Sequence, residues 1–299
     1  MTDVTIEEYA VADRDAGPYA ITTGPDGALW FTMVHSSRIG RLVPGAEPTS
    51  YELDSGRGPT IIVPGPDGAL WFTEYHAHRI ARITTGGVID EFALPTPTAG
   101  RTASPRGRTA RCGSPRPPRP HRTDHPRWSG HRVPAPGRRR VPLRHRRGRR
   151  RRAVVHPEPG RRPWTDRHGR RDRPLPLPTE AAAPVGIAAG QDGALWFVEI
   201  AAGQIGRITP DGQVTEFPLP DRAARPHAIT TGTDGTAWFT EWGTGRVGSI
   251  TADGTITVHS LPTPGSEPHG ITLGPDGALW TALEIGALAR IAPAQPPSL

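Results

Sequence analysis

One sequence recurs along the chain with small changes: GPDGALWFT at Gly24, GPDGALWFTE at Gly65, GQDGALWFVE at Gly190, GTDGTAWFTE at Gly232 and GPDGALW at Gly274. Its tryptophans, Trp30, Trp71, Trp196, Trp238 and Trp280, stand 41, 125, 42 and 42 residues apart, and 125 is close to three periods. A fixed period of this length restricts the chain to stacked or radially repeated units. The content of the unit chooses between them. Each copy opens on Pro-x-x-Ile (Pro18, Pro59, Pro184, Pro226, Pro268), turns at Asp-Gly into the tryptophan strand, and continues into a strand such as Arg38-Ile39-Gly40-Arg41. A final alternating strand follows, as in Val214-Thr215-Glu216-Phe217. Four short strands per period, joined by Gly/Asp turns, describe a blade of an all-β propeller and not a helical repeat. Phasing through the long gap places further tryptophans near 113 and 154, which makes a seven-bladed β-propeller in one domain. Val4-Thr5-Ile6-Glu7-Glu8-Tyr9 resembles the last strand of a blade and is expected to complete the final one, closing the ring without a free edge.

Where the third and fourth blades belong, the repeat is missing. Residues 101–173 hold 25 of the 36 basic residues and 4 of the 29 acidic ones, so the formal net charge of +7 describes a basic block set into an otherwise acidic chain. Read in its own terms the block is a disordered Arg/Pro-rich insert, without apolar alternation and with like-charge runs such as residues 146–152. A shift of reading frame explains more. GC-rich codons for GPDGALWFTE, displaced by one base, translate as the G-R-T-A-R-C-G-S-P that stands at residues 107–115. Codons for DGALWFT in the remaining frame give the R-R-A-V-V-H of residues 151–156, and RITPGGQVTEFP in that frame gives the run at 123–134. The hidden tryptophan codons fall at 112–113 and 154–155, where the blade phase had placed them. Residues 101–173 are therefore read as an out-of-frame replacement of two blades. A ring short of two blades exposes the facing surfaces of their neighbours, and the chain as translated is expected to fold poorly, or to lack activity, beside one with the frame restored. The block's Cys112 and its six histidines carry no functional weight.

Nothing reads as a membrane span, and MTDVTIEEYA lacks a basic-then-apolar leader, so a cytoplasmic monomer without membrane or nucleic-acid partners is expected. The recurring tryptophan is expected to fill the space between blades. Glu74, Glu199 and Glu241 recur too regularly to form a unique site and read as structural or solvated, and GPDG reads as turn chemistry. Residues that break the repeat are more informative. The position after the leading proline is Tyr19, Thr60, Val185, His227 and His269 in turn. Innermost strands line the axis of a propeller, so these side chains should converge near one rim, either as plain channel lining or as a site. Glu267 and Glu284 flank His269 on one hairpin. Such a set could hold a metal beside a general base, and its oxygen ligands without any thiolate suit Mg²⁺ better than zinc.

The tandem blades, the Pro268-His269-Gly270-Ile271 and Pro226-His227-Ala228-Ile229 segments and Ala282-Leu283-Glu284 together resemble the virginiamycin B lyase (streptogramin B lyase) family over residues 1–100 and 175–299. The resemblance implies a Mg²⁺-dependent carbon–oxygen lyase that linearises a cyclic depsipeptide antibiotic at its threonine ester by elimination, without water. It further implies His269 as general base, Glu267 and Glu284 as metal ligands, and His227 and Tyr19 as substrate contacts. Other expectations stay open beside it: a metal-dependent lactonase or gluconolactonase-like propeller, a non-catalytic ligand-binding propeller, and a nucleic-acid binder acting through residues 101–173.

Overall fold

A computed structural model describes residues 4–94 and 176–293, which belong to one compact unit. They form five four-stranded antiparallel sheets, each a simple meander. β1 (Val4–Ala10) stands apart in sequence from its sheet. The first blade contains β2 (Pro18–Thr23), β3 (Leu29–Met33), β4 (Arg38–Leu42) and β5 (Thr49–Glu52); the second contains β6 (Pro59–Pro64), β7 (Leu70–Glu74), β8 (Arg79–Ile83) and β9 (Ile89–Ala93). After the gap come β10 (Pro184–Ala189), β11 (Leu195–Glu199), β12 (Gln204–Ile208) and β13 (Val214–Pro218), then β14 (Pro226–Thr231), β15 (Ala237–Glu241), β16 (Arg246–Ile250) and β17 (Ile256–Ser260). The last blade has β18 (Pro268–Leu273), β19 (Leu279–Leu283) and β20 (Ala287–Pro293). Its fourth strand is β1, paired from Val4 opposite Pro293 to Ala10 opposite Ala287, so the N-terminal strand closes the C-terminal blade as expected. The inner strands of successive blades pack side by side in the order β6, β2, β18, β14, β10, the arrangement of a β-propeller. The expected third and fourth blades, and the reading of residues 101–173 as disordered, fall on residues outside those described. Among the described residues no helix is long and apolar enough to cross a membrane.

The repeated tryptophan joins blade to blade. Trp196 shares a core with Phe239 and Ile250 of the following blade, Trp280 with Phe31 and Leu42, and Trp30 with Ile62 and Phe72. GPDG does more than turn the chain: its aspartate accepts the indole N–H in three blades, Trp30 to Asp26, Trp71 to Asp67 and Trp280 to Asp276, each at 3.0 Å. The same carboxylates accept an arginine from the third strand, as in Arg41 to Asp26 at 2.9 Å. Of the two roles expected for the repeated glutamates, structural or solvated, the structure shows the first. Glu74, Glu199 and Glu241 are buried; Glu241 accepts Arg246 Nε at 2.7 Å, and burial pushes the carboxyls of Glu74 and Glu199 up.

Two backbone devices place the inner-strand side chains. In all five blades the register between the first two strands slips between the leading proline and the isoleucine three residues on, a bulge that turns the intervening residues out of the regular pleat. The residue before that proline has a left-handed backbone in every blade: Gly17, Gly58, Ala183, Arg225 and Glu267, with φ between +49° and +67°.

Candidate active site

Three consecutive blades meet at one rim. Their bulged inner strands bring His227, His269 and Tyr19 together, ring against ring. The centroids of Tyr19 and His269 lie 4.6 Å apart and those of His227 and His269 4.8 Å apart, while the Tyr19 hydroxyl and His227 Nε2 share a hydrogen bond of 3.1 Å. The threonine of Trp-Phe-Thr fixes this tier. Thr240 Oγ1 accepts the Ala228 N–H at 3.0 Å and donates to the carbonyl of His269 in the next blade at 2.8 Å.

A second tier lies outside the first, on the loops joining the middle strands and on the segment leading into β18. Glu284 Oε2 accepts from His269 Nε2 at 2.7 Å, and Glu284 Oε1 accepts from His35 Nε2 at the same distance. Glu267, set before Pro268, accepts the indole N–H of Trp242 at 3.3 Å. Ligand atoms of Glu267, His269 and Glu284 all lie within 4.8 Å of one another. Above them a cleft of about 420 Å³ is lined by Arg14, Asp15, His35, Glu267, Glu284 and Ile285 among others. All five residues expected from the sequence are thus brought to one place.

Burial sets the protonation of His227 and Tyr19. Burial, with a smaller contribution from neighbouring His269, holds His227 down to about 4, so it is neutral at physiological pH. Tyr19 is pushed up by burial and by the Glu284 charge and keeps its proton. Burial alone would raise Glu284, but the hydrogen bonds from His269 and His35 outweigh it and leave the carboxyl below its usual range. Because the ionised carboxylate can only accept, His269 carries a hydrogen on Nε2 in this arrangement. Its Nδ1 is buried and finds no partner among the described residues.

His35 and Trp242 were not expected. Both sit where the repeat signals nothing by itself: counted from the blade tryptophan, the fourth residue on is Val34, Tyr75, Ile200, Trp242 or Glu284, and the fifth is His35, His76, Ala201, Gly243 or Ile285. The signal that finds them is the repeat register applied to this loop, as it was applied to the inner strand. Three successive blades supply Trp242, Glu284 and His35 from one structural position and its neighbour; the Trp242 ring lies 6.0 Å from that of His269, and Glu284 joins His269 to His35.

A family profile described as the virginiamycin B lyase family matches residues 4–110 and 169–291. A curated virginiamycin B lyase from Saccharopolyspora erythraea is 60% identical over 52 residues, a stretch that spans 17% of each chain. One from Streptomyces coelicolor is 55% identical over 40 residues, 13% of each chain, so these alignments cover less than a fifth of the curated relatives. A solved streptogramin B lyase structure superposes with a TM-score of 0.70 at 28% identity over 97% of both chains. A gluconolactonase from Xanthomonas campestris shares the fold alone, at a TM-score of 0.55 and 13% identity over 96% of this chain and 89% of that one.

Proposed function

Because the chain belongs to the virginiamycin B lyase family, we propose that it opens the ring of type B streptogramins or similar cyclic depsipeptides by elimination at the threonine ester. The observation that carries this reading is the meeting of His269, Glu267 and Glu284 under one cleft, with His227 and Tyr19 against the same imidazole. In the proposed reaction His269 removes the α-proton of the esterified threonine. The Cα–Cβ double bond forms as the Cβ–O bond breaks, and the ester departs as a carboxylate, so no water is consumed. Nδ1 of His269 is buried, which leaves Nε2 as the atom that receives the proton; for this the imidazole releases Glu284 and takes the tautomer with its hydrogen on Nδ1, which frees the Nε2 lone pair. Neutral His227 and protonated Tyr19 are suited to hydrogen bonding with the peptide groups of the substrate.

The residues present fit Mg²⁺. Two carboxylates and one imidazole within reach of one atom, with no thiolate, form an oxygen-rich set that suits a hard cation. Glu267 and Glu284 would hold it. When bound, it would supply positive charge for the carboxylate leaving group.

Mass spectrometry of a type B streptogramin incubated with the protein and Mg²⁺ tests the reading. Elimination gives a linear product of unchanged mass, separable by chromatography. A product heavier by one water identifies a lactonase and overturns the proposal, as does full turnover by His269→Ala.

A further inference from the structure

We propose that His35 is a positioning residue of this site: it holds the Glu284 carboxylate in place for the metal when His269 lets go of it. The inference rests on the metal-assisted reading above. Both oxygens of Glu284 are engaged, Oε2 by His269 and Oε1 by His35, each at 2.7 Å. A base at His269 Nε2 must give up its share of that arrangement. With His269 as the sole restraint, Glu284, whose side chain is 27% exposed, would then be free to swing into the cleft. The bond to His35 remains, and its donor sits in a different blade from His269 and Glu284.

The chain is built to present His35 in this way. His35 follows β3 in the loop before β4, where its N–H donates to the Ala16 carbonyl at 3.2 Å. Its ring lies against Gly17, so closely that a Cβ at that residue would come within 2.2 Å of His35 Cδ2. The ring is thereby aimed across the blade boundary while half of its side chain stays in the cleft, 54% exposed. A repeat-wide structural role does not account for the contact with Glu284. His76 holds the equivalent place in the next blade and packs on Gly58 in the same manner, a Cβ there lying 2.3 Å from His76 Cδ2. The residue that occupies Glu284's position one blade before it is Val34, which offers no carboxylate. Packing on a left-handed glycine is therefore common to both histidines, and engagement of a candidate metal ligand belongs to His35.

Outer partners that orient a ligating carboxylate change metal affinity as well as rate. The test is Mn²⁺ binding to the 299-residue chain, read by the electron paramagnetic resonance of free Mn²⁺, for wild type, His35→Ala, His35→Gln and His76→Ala. Loss of the restraint in His35→Ala is expected to weaken binding by about 10- to 100-fold. His35→Gln, which keeps an N–H donor at similar reach, is expected to stay within about threefold of wild type, and His76→Ala is expected to match it. Affinity of His35→Ala within about twofold of wild type would overturn the proposal. So would equal losses in His35→Ala and His76→Ala, which would mark loop packing as the cause, or a His35→Gln as weak as the alanine variant. Failure of wild type itself to bind Mn²⁺ removes the metal reading and the proposal with it, an outcome distinct from an unchanged His35→Ala.

Discussion

Glu267 and Gly17 hold the same backbone position in neighbouring blades, directly before the leading proline, and both are left-handed, with φ of +49° and +67°. Glycine adopts that conformation without steric cost, whereas a residue with a Cβ does so at roughly 1 kcal/mol or more. The last blade thus bears strain at the residue whose carboxylate reaches the cleft, as two other blades do at Ala183 and Arg225 in the same position.

That relationship makes stability and function separable. Glu267→Gly is expected to unfold at a urea concentration equal to or above that of wild type, within about 1 kcal/mol, while Mn²⁺ affinity and turnover fall to the level of a site lacking one ligand. Glu267→Ala loses the same carboxylate but keeps the strain, and is expected to be about 1 kcal/mol less stable than the glycine variant. A glycine variant less stable than the alanine one would contradict the strain at this residue.

Thr240 offers a second test, of the link between the repeat motif and the site. Its fully buried hydroxyl accepts from Ala228 N–H and donates to the His269 carbonyl, bridging two blades at the base of both histidines. Thr240→Val keeps the shape and removes both bonds, leaving the half-buried Ala228 N–H and the buried His269 C=O unpaired, at a cost of about 1–3 kcal/mol. Turnover is expected to fall with little change in KM, because His269 shifts while the cleft does not. Urea unfolding and steady-state kinetics measure the two effects, and a variant equal to wild type in both would show the bridge to be idle.

The pH dependence follows from His227. Its folded pKa of about 4 lies below the ordinary value of 6.5, so the folded chain resists a proton that the unfolded chain accepts. Above pH 6.5 the difference has no effect; between 6.5 and about 4 stability falls as the pH falls, by on the order of 3 kcal/mol in total. His227→Gln cannot titrate and is expected to lose less stability than wild type between pH 7 and pH 4.5. Parallel loss in both proteins, measured by urea unfolding at the two pH values, would show that His227 is not held neutral by its surroundings.

The inner tier was legible in the sequence because its residues share one register: Tyr19, His227 and His269 each follow a proline at the head of a repeat, and the repeat itself fixes where that position points. Glu267 and Glu284 were legible as departures from the unit in a single hairpin. His35 and Trp242 were not, because each meets its partner in another blade, and a loop position that holds valine, tyrosine or isoleucine elsewhere gives no local warning. Burial of Glu74, Glu199 and Glu241 was hidden for a related reason. Their polarity argues for solvent, and only the bulk of the adjoining blade, absent from any local window, closes over them.

The two blades that flank the undescribed residues present apolar side chains to solvent. In β6, Ile61 and Val63 are 54% and 50% exposed, and in β10, Val185 and Ile187 are 55% and 57% exposed. Trp71 is half-buried, as is Trp238, whereas Trp30, Trp196 and Trp280 are 0–2% exposed. These are the surfaces that a third and a fourth blade would cover if the frame of residues 101–173 were restored. At roughly 1.5–3 kcal/mol for each large side chain taken fully out of water, covering even part of this surface outweighs most single-site effects. A gene with the proposed frame restored is therefore expected to yield a protein that melts about 10 °C or more above the present chain. Trp71 supplies an independent readout. Acrylamide should quench a component of the fluorescence in the present chain that Trp71→Phe removes, and the restored protein should lack that component. Sequencing of the DNA between the codons of Pro95 and Pro184 decides the premise, since an unbroken frame without blade motifs in the other two would leave these apolar faces without an encoded cover.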